Sequence, residues 1–330
     1  GFVSRAYKVI LALAGGVGGA KLANGFAKIL SPDQLLIVVN TGDDFEHFGF
    51  PISPDLDTVT YTLAGMSNTT AGWGLAGESW KFMNAVERLG GEGWFRLGDQ
   101  DLATHVMRAA WLSEGQSLSD VTAKITQRLG ILHSIVPMSD QQVRTVVETE
   151  AGRMSFQIYF VREKCGPAIK NIYYKGATEA DPSQAFMSAL DREDIDAIVI
   201  CPSNPLLSIA PILALREVRA LLVSHNAPVV AVSPIIDGKA VKGPVAKIFE
   251  EIGLDASALG VARYYGDLLD GMVIDAKDSA LATSISEVGP QILVTETLMR
   301  STDEQIQLAR EVMEFSQLLP RTDKTKIGNL

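Results

Sequence analysis

The chain has 330 residues, 47% of them hydrophobic and 21% charged, which describes a globular protein long enough to bury a large core. A net charge of −10 argues against a nucleic-acid wrapper and against a protein drawn to anionic membrane surfaces. Cys165 and Cys201, the only two cysteines, lack metal-type spacing; they fit a reducing cytoplasm and not a disulfide framework.

The first apolar run, residues 8–14, reads as a buried strand. It is too short to span a bilayer, and glycines follow it rather than a signal-cleavage pattern. Gly15, Gly16, Gly18 and Gly19 then lead into a helix expected over 19–30, with Lys21 near its start. Glycines there let backbone N–H groups approach a phosphate, and the helix N-terminus adds a favourable dipole. A tight strand-to-helix connection uses the same residues. The turn is no P-loop, because Leu22 follows Lys21, and no dinucleotide fingerprint, because the next strand, 35–39, runs into Asn40 rather than an acid. Strand, loop, helix and strand at this spacing open a parallel βαβ unit.

The loop from Asn40 to Thr58 carries four carboxylates, Asp43, Asp44, Asp55 and Asp57, within fifteen positions. Acids so close repel one another unless a cation sits among them, and magnesium (Mg2+) is the hard ion that suits carboxylates and phosphates together. The plain alternative is a solvated acidic loop. Pro51 and Pro54 stiffen the backbone that aims the later acids. His47 lies in this loop, and the surrounding acids are expected to raise its pKa.

Residues 60–128 read as mostly helical. Asp99 or Asp101 suits a helix N-cap, and Asp101, His105 and Arg108 share one helix face as a polar cluster. Trp73, Trp80, Trp94 and Trp111 read as core, or as an aromatic wall for a flat ring. Residues 144–174 show strand alternation, at 145–149 and 155–160. A second set of α/β signals follows: a strand at 195–200, Cys201-Pro202-Ser203-Asn204-Pro205, a helix near 211–224, and a strand at 228–232 ending in Ser233-Pro234. Ser203, Asn204 and Ser233 offer neutral groups for a nucleotide, or simply form caps and turns. Cys201 has no neighbouring His and is not read as a nucleophile. Lys239, Lys242 and Lys247 make a basic stretch; elements at 261–265, 272–275 and 291–295 and a helix over 303–318 close the pattern, and residues 321–326 are expected to fray. The fold class is α/β, a Rossmann-like, doubly wound, mostly parallel sheet with a helical and antiparallel insertion. Residues 1–61 and 191–330 form the nucleotide- or phosphate-binding core, and 62–190 the inserted, acceptor-covering subdomain.

Several stretches together resemble the 2-phospho-L-lactate transferase (CofD) family. They include Asn40-Thr41-x-x-Asp44, Ile52-Ser53-Pro54-Asp55-Leu56-Asp57-Thr58, Leu97-Gly98-Asp99-x-Asp101, Pro137-Met138-Ser139-Asp140, Pro202-Ser203-Asn204-Pro205 and Thr297-Leu298-Met299. The resemblance runs in order over nearly the whole chain. It implies a magnesium-assisted reaction in coenzyme F-420 biosynthesis. A guanosine diphosphate-linked small acid gives its phosphoryl-linked acid to the ribityl hydroxyl of the deazaflavin Fo, releasing GMP. Asp57 and Arg96 match positions that bind Fo in the family. Asp57 and Asp44 are the expected catalytic acids; the glycine turn and Lys21 would hold the diphosphate. Asn40-Thr41-Gly42-Asp43-Asp44 carries Gly and Asp where the family commonly has Ala and Glu, and the acid on the donor (lactate, enolpyruvate or glycerate) stays open. A homodimer would suit the family. A related branch of the fold binds nucleotide sugars in a regulatory role, and is the competing reading.

Overall fold

The computed structural model describes residues 9–241 and 243–320; Lys8, Lys242 and the tail from 321 onward lie outside the described residues. Seven strands form one parallel sheet: β1 (Val9–Ala14), β2 (Leu35–Val39), β3 (Ser134–Pro137), β4 (Ile195–Ile200), β5 (Val229–Val232), β6 (Gly271–Asp275) and β7 (Gln291–Thr295). Their spatial order is β7-β6-β5-β4-β1-β2-β3, the doubly wound arrangement expected from both ends of the chain. β1 and β4 are apolar nearly throughout and buried along their whole length, because helices cover both faces of a parallel sheet. The chain leaves β1 in one direction and β4 in the other, so the carboxyl ends of these neighbours form the switch point where such sheets hold ligands.

Helices α1 (Gly16–Ile29), α2 (Pro54–Leu63), α3 (Asp99–Ser113) and α4 (Thr302–Leu318) matter most to the cleft at that edge. α1 and α4 cover one face, burying Leu22, Phe26, Leu308 and Val312 against β1 and β2. The opposite face packs on Leu222, Phe249, Val261 and Tyr265. A small third core of Ile52, Met83 and Leu97 supports the aromatic side of the cleft. Among the described residues no helix is long and apolar enough to cross a membrane.

Three local expectations change. Residues 155–160 do not continue as a strand: the antiparallel strand Gly152–Ser155 stops, and a wide helical turn covers Ile158–Arg162. In that turn Tyr159 is buried while Phe156 and Phe160, four positions apart, stack with centroids 5.3 Å apart. The alternation of apolar residues matched both periods, and this contact selects the helical one. The helix near 211–224 divides into Ala210–Leu213 and Val218–Ser224, interrupted by Glu217 at φ +61°. β3, unforeseen, extends the main sheet from within the stretch 62–190, at its edge beside β2; its final Pro137 is tolerated at such an end. The antiparallel sheet of Arg144–Thr149, Gly152–Ser155 and Ile169–Lys175 docks on the acidic loop, where the Thr145 N–H donates to the Gly42 carbonyl at 2.7 Å.

Candidate active site

A cleft of about 740 Å³ opens over the carboxyl ends of β1, β4 and β5. Its floor is the turn into α1. Gly16 there has φ +65°, a conformation that glycine adopts without strain. A Cβ on Gly18 or Gly19 would lie 2.4 Å from the Pro202 carbonyl oxygen or 2.2 Å from Ser203 Oγ, so these glycines let α1 pack on the loop after β4. The Gly15 N–H donates to Ser203 Oγ at 3.0 Å, and α1 has no side-chain cap. The Gly16 N–H is taken by the Asp55 carboxylate, so this helix start already holds one anion, as an uncapped N-terminus favours.

Lys21 lines the cleft, but its Nζ donates to the Met299 carbonyl at 2.8 Å. Ser203, Asn204 and Ser233 also line it while using polar atoms locally. Asn204 Oδ1 accepts from the Leu206 and Leu207 N–H groups at 3.0 and 3.2 Å, and Ser233 Oγ bridges both backbone groups of Ile235.

The four acids are all buried and fall into distinct settings. Asp55 and Asp57 occupy the first turn of α2, just after Pro54. Asp43 and Asp55 hydrogen-bond to one another, and Asn40 Nδ2 donates to both, at 3.3 and 3.0 Å. Ser208 Oγ adds a 3.0 Å bond to Asp55. Burial raises both carboxyls, Asp43 most strongly, where the charges of Asp55 and Asp44 add to the effect. Burial likewise pushes Asp44 up to about 7, against the opposing effect of a 2.8 Å bond from Ser53 Oγ and of Arg144 and Arg108. Asp44 Oδ1 has no hydrogen-bond partner.

Asp57 differs. Arg108, on α3, donates from Nη2 to Asp57 Oδ1 inside the protein, whereas Oδ2 is buried without a hydrogen-bond partner. Burial raises the Asp57 carboxyl, and the Arg108 charge opposes the rise. His105 Nε2 lies 3.0 Å from Asp101 Oδ2, and Asp101 Oδ1 accepts from Tyr61 Oη at 2.6 Å. The face shared by Asp101, His105 and Arg108 is thus a connected cluster, aimed at α2. Asp57, Asp101 and His105 bring potential metal-ligand atoms within 4.8 Å of one another. The Arg108 guanidinium in contact with two of them disfavours a second cation there.

The far wall is aromatic. Arg96 lies over the Trp80 ring at 4.9 Å, and Trp80 meets Trp73 at 5.9 Å; Trp73, Trp94 and Arg96 line the cleft. Trp111 instead sits under Lys124, 5.2 Å from its Nζ. His47 departs from expectation: its pKa is lowered, because burial outweighs Glu92 and a bond to the Phe95 backbone. The ring packs 4.1 Å from Phe48 and 5.1 Å from Trp94, and the loop acids do not govern it. Tyr61, Phe156 and Phe160 also line the cleft and were not singled out from sequence. Only the i, i+4 spacing of Asp57 and Tyr61, and of the two phenylalanines, hinted at them.

The 2-phospho-L-lactate transferase CofD family model matches residues 10–313. The 2-phospho-L-lactate transferase of Methanosarcina mazei is 37% identical over 305 residues, covering 92% of this chain and 99% of that protein. A phosphoenolpyruvate transferase of Streptomyces griseus is 36% identical over 314 residues, covering 93% and 98%. A crystal structure of a Bacillus halodurans protein superposes with a TM-score of 0.61 at 14% identity, over 94% of this chain and all of that one, which speaks to the fold. With the motif residues gathered at one sheet edge and the similarity spanning nearly the whole length, this chain belongs to the CofD family of 2-phospho-L-lactate transferases.

Proposed function

We propose that this protein transfers a phosphoryl-linked small acid (lactyl-, enolpyruvyl- or glyceryl-phosphoryl) from a guanosine diphosphate-linked donor to the ribityl hydroxyl of Fo in coenzyme F-420 biosynthesis. The hydroxyl oxygen attacks the phosphorus that bears the acid, the bond to the GMP phosphate breaks, and GMP departs. The observation that carries this reading is Asp57: a buried carboxylate on a cleft-lining residue, held by Arg108 through one oxygen, with the other oxygen unpaired. Asp57 takes the hydroxyl proton. The α1 N-terminus, with Gly15, Gly16, Gly18, Gly19 and Lys21, holds the diphosphate, and Ser203, Asn204 and Ser233 border the nucleotide. Arg96, with Trp73, Trp80 and Trp94, borders the flat ring. Most of the rate then comes from positioning and charge neutralisation.

Asp43, Asp44 and Asp55 suit magnesium: they are buried acids with raised pKa values, and Asp44 Oδ1 lacks a partner. Bound magnesium would neutralise diphosphate charge beside them. Asp57, already paired with Arg108, is left to the hydroxyl. Relatives named for different donor acids are similarly close to this chain, so the donor acid is settled by assay of all three.

Titration of the protein with Fo, followed by Fo fluorescence with and without magnesium and GDP, tests the acceptor site. Saturable binding that weakens in Asp57→Ala and Arg96→Ala is the expected result. Failure to bind Fo, with tight binding of a nucleotide sugar instead, would move the chain to a regulatory role.

A further inference from the structure

We infer that His105 is a positioning residue that fixes the Asp57 carboxylate through Arg108; this rests on the reading that Asp57 accepts the proton of the acceptor hydroxyl. α3 carries Asp101, His105 and Arg108 at positions i, i+4 and i+7, and turns all three toward Asp57 and Tyr61 on α2. Arg108 Nη1 lies 3.2 Å from His105 Nδ1. A guanidinium only donates, so Nδ1 must present its lone pair. The ring proton therefore sits on Nε2 and is donated to Asp101 Oδ2 at 3.0 Å. Asp101 is fixed in turn by Tyr61 Oη, which donates to Oδ1 at 2.6 Å and lies 2.8 Å from Thr104 Oγ1.

This chain of bonds selects one imidazole tautomer and, with it, one guanidinium orientation. Nη1 is held by His105 and by the Pro51 carbonyl at 3.4 Å; Nη2 is held by Asp57 Oδ1. Asp57 Oδ2 then faces His105 Nδ1 at 3.7 Å. In this tautomer both atoms are acceptors. A buried acceptor without a donor is costly and native proteins keep few of them. Here the unpaired oxygen belongs to a residue that lines the cleft together with Asp101, His105 and Tyr61, so a substrate hydroxyl entering the cleft supplies the missing donor. His105 thus keeps Arg108 on the first oxygen and the second oxygen free. Without its lone pair the guanidinium is free to swing onto both oxygens and silence the base.

The test compares His105→Leu with His105→Gln in transfer assays that follow GMP release at saturating donor. Gln offers a carbonyl to Arg108 and an amide donor to Asp101. The Leu variant should lose roughly 10- to 100-fold in kcat, the range seen when a ligand's orienting partner is removed. KM for Fo should change little, and the Gln variant should recover most of the rate. Equal loss in both variants, or an unchanged kcat in the Leu variant, overturns the inference. Should His105→Leu fail to fold, Tyr61→Phe removes only the far end of the chain. It should lower kcat a few-fold at constant KM, and an unchanged kcat contradicts the proposal. Wild-type protein that releases no GMP would instead refute the transferase reading.

Discussion

Asp43–Asp55 and Asp57–Arg108 are equally deep in one corner of the molecule, yet they keep different company. The first pair is hydrogen-bonded by the neutral side chains of Asn40 and Ser208, and the nearby Asp44 charge raises Asp43 further. The second pair joins a carboxylate to a buried guanidinium. Burial raises Asp57 too, but there the Arg108 charge opposes the rise, whereas at Asp43 the charges of Asp55 and Asp44 add to it. On the proposed reading the two environments suit two roles, the first the holding of a metal ion and the second proton transfer.

Removing Arg108 breaks this contrast most severely. Arg108→Leu strands Asp57 as an uncompensated buried charge and should cost roughly 3–5 kcal/mol of unfolding free energy in urea titrations. Adding Asp57→Leu to the same protein should return most of that stability, because it removes the stranded charge. Asp57→Asn keeps shape and depth but not the base. It should lower kcat by roughly 10²–10⁴-fold, and because the buried Arg108 loses its counter-charge the urea midpoint should fall as well. Normal turnover in Asp57→Asn would remove the carboxylate from the mechanism.

The pH dependence of Asp44 sharpens the other side of the comparison. Asp44 has a folded pKa of about 7 against 3.8 for the free group, so the folded state holds more protons between these values. Its stabilising contribution is complete at the acid end and disappears as pH rises from about 4 to 7. In chelator, wild-type stability should therefore fall across that window by a few kcal/mol at most, one pKa unit being worth about 1.4 kcal/mol. Asp44→Asn should flatten the profile, and magnesium should restore wild-type stability at pH 8 with release of protons, measurable by calorimetry in two buffers. The smallest effect belongs to the aromatic wall. Trp80→Leu removes the stack under Arg96, a contact worth about 0.5–1 kcal/mol at an exposed site, and should weaken Fo binding only a few-fold.

Much of this was legible in the residues. The apolar runs that became β1, β2 and β4 could hardly be anything but buried strands. The acids at 43, 44, 55 and 57 were visible as a group, and helical spacing put Asp101, His105 and Arg108 on one face. Spacing could not say which acid would meet Arg108, because the pair is 51 positions apart in sequence and forms only when α3 crosses α2. The same limit hid the burial of His47, whose neighbours Trp94 and Phe95 come from a distant loop. Ser203 and Asn204 looked like ligand contacts, yet their oxygens also serve as partners to the Gly15 N–H and as a helix cap. Residues 155–160 misled because four to six alternating positions fit a strand and a short helical turn alike.

The most direct test of the account is GMP release from a guanosine diphosphate-linked donor by wild-type protein and by Asp57→Asn, with Fo and magnesium present. The account predicts Fo-dependent release by the wild type, with the phosphoryl-linked acid recovered on Fo, and near-complete loss in Asp57→Asn. Fo-independent release, or equal rates in the two proteins, would contradict it.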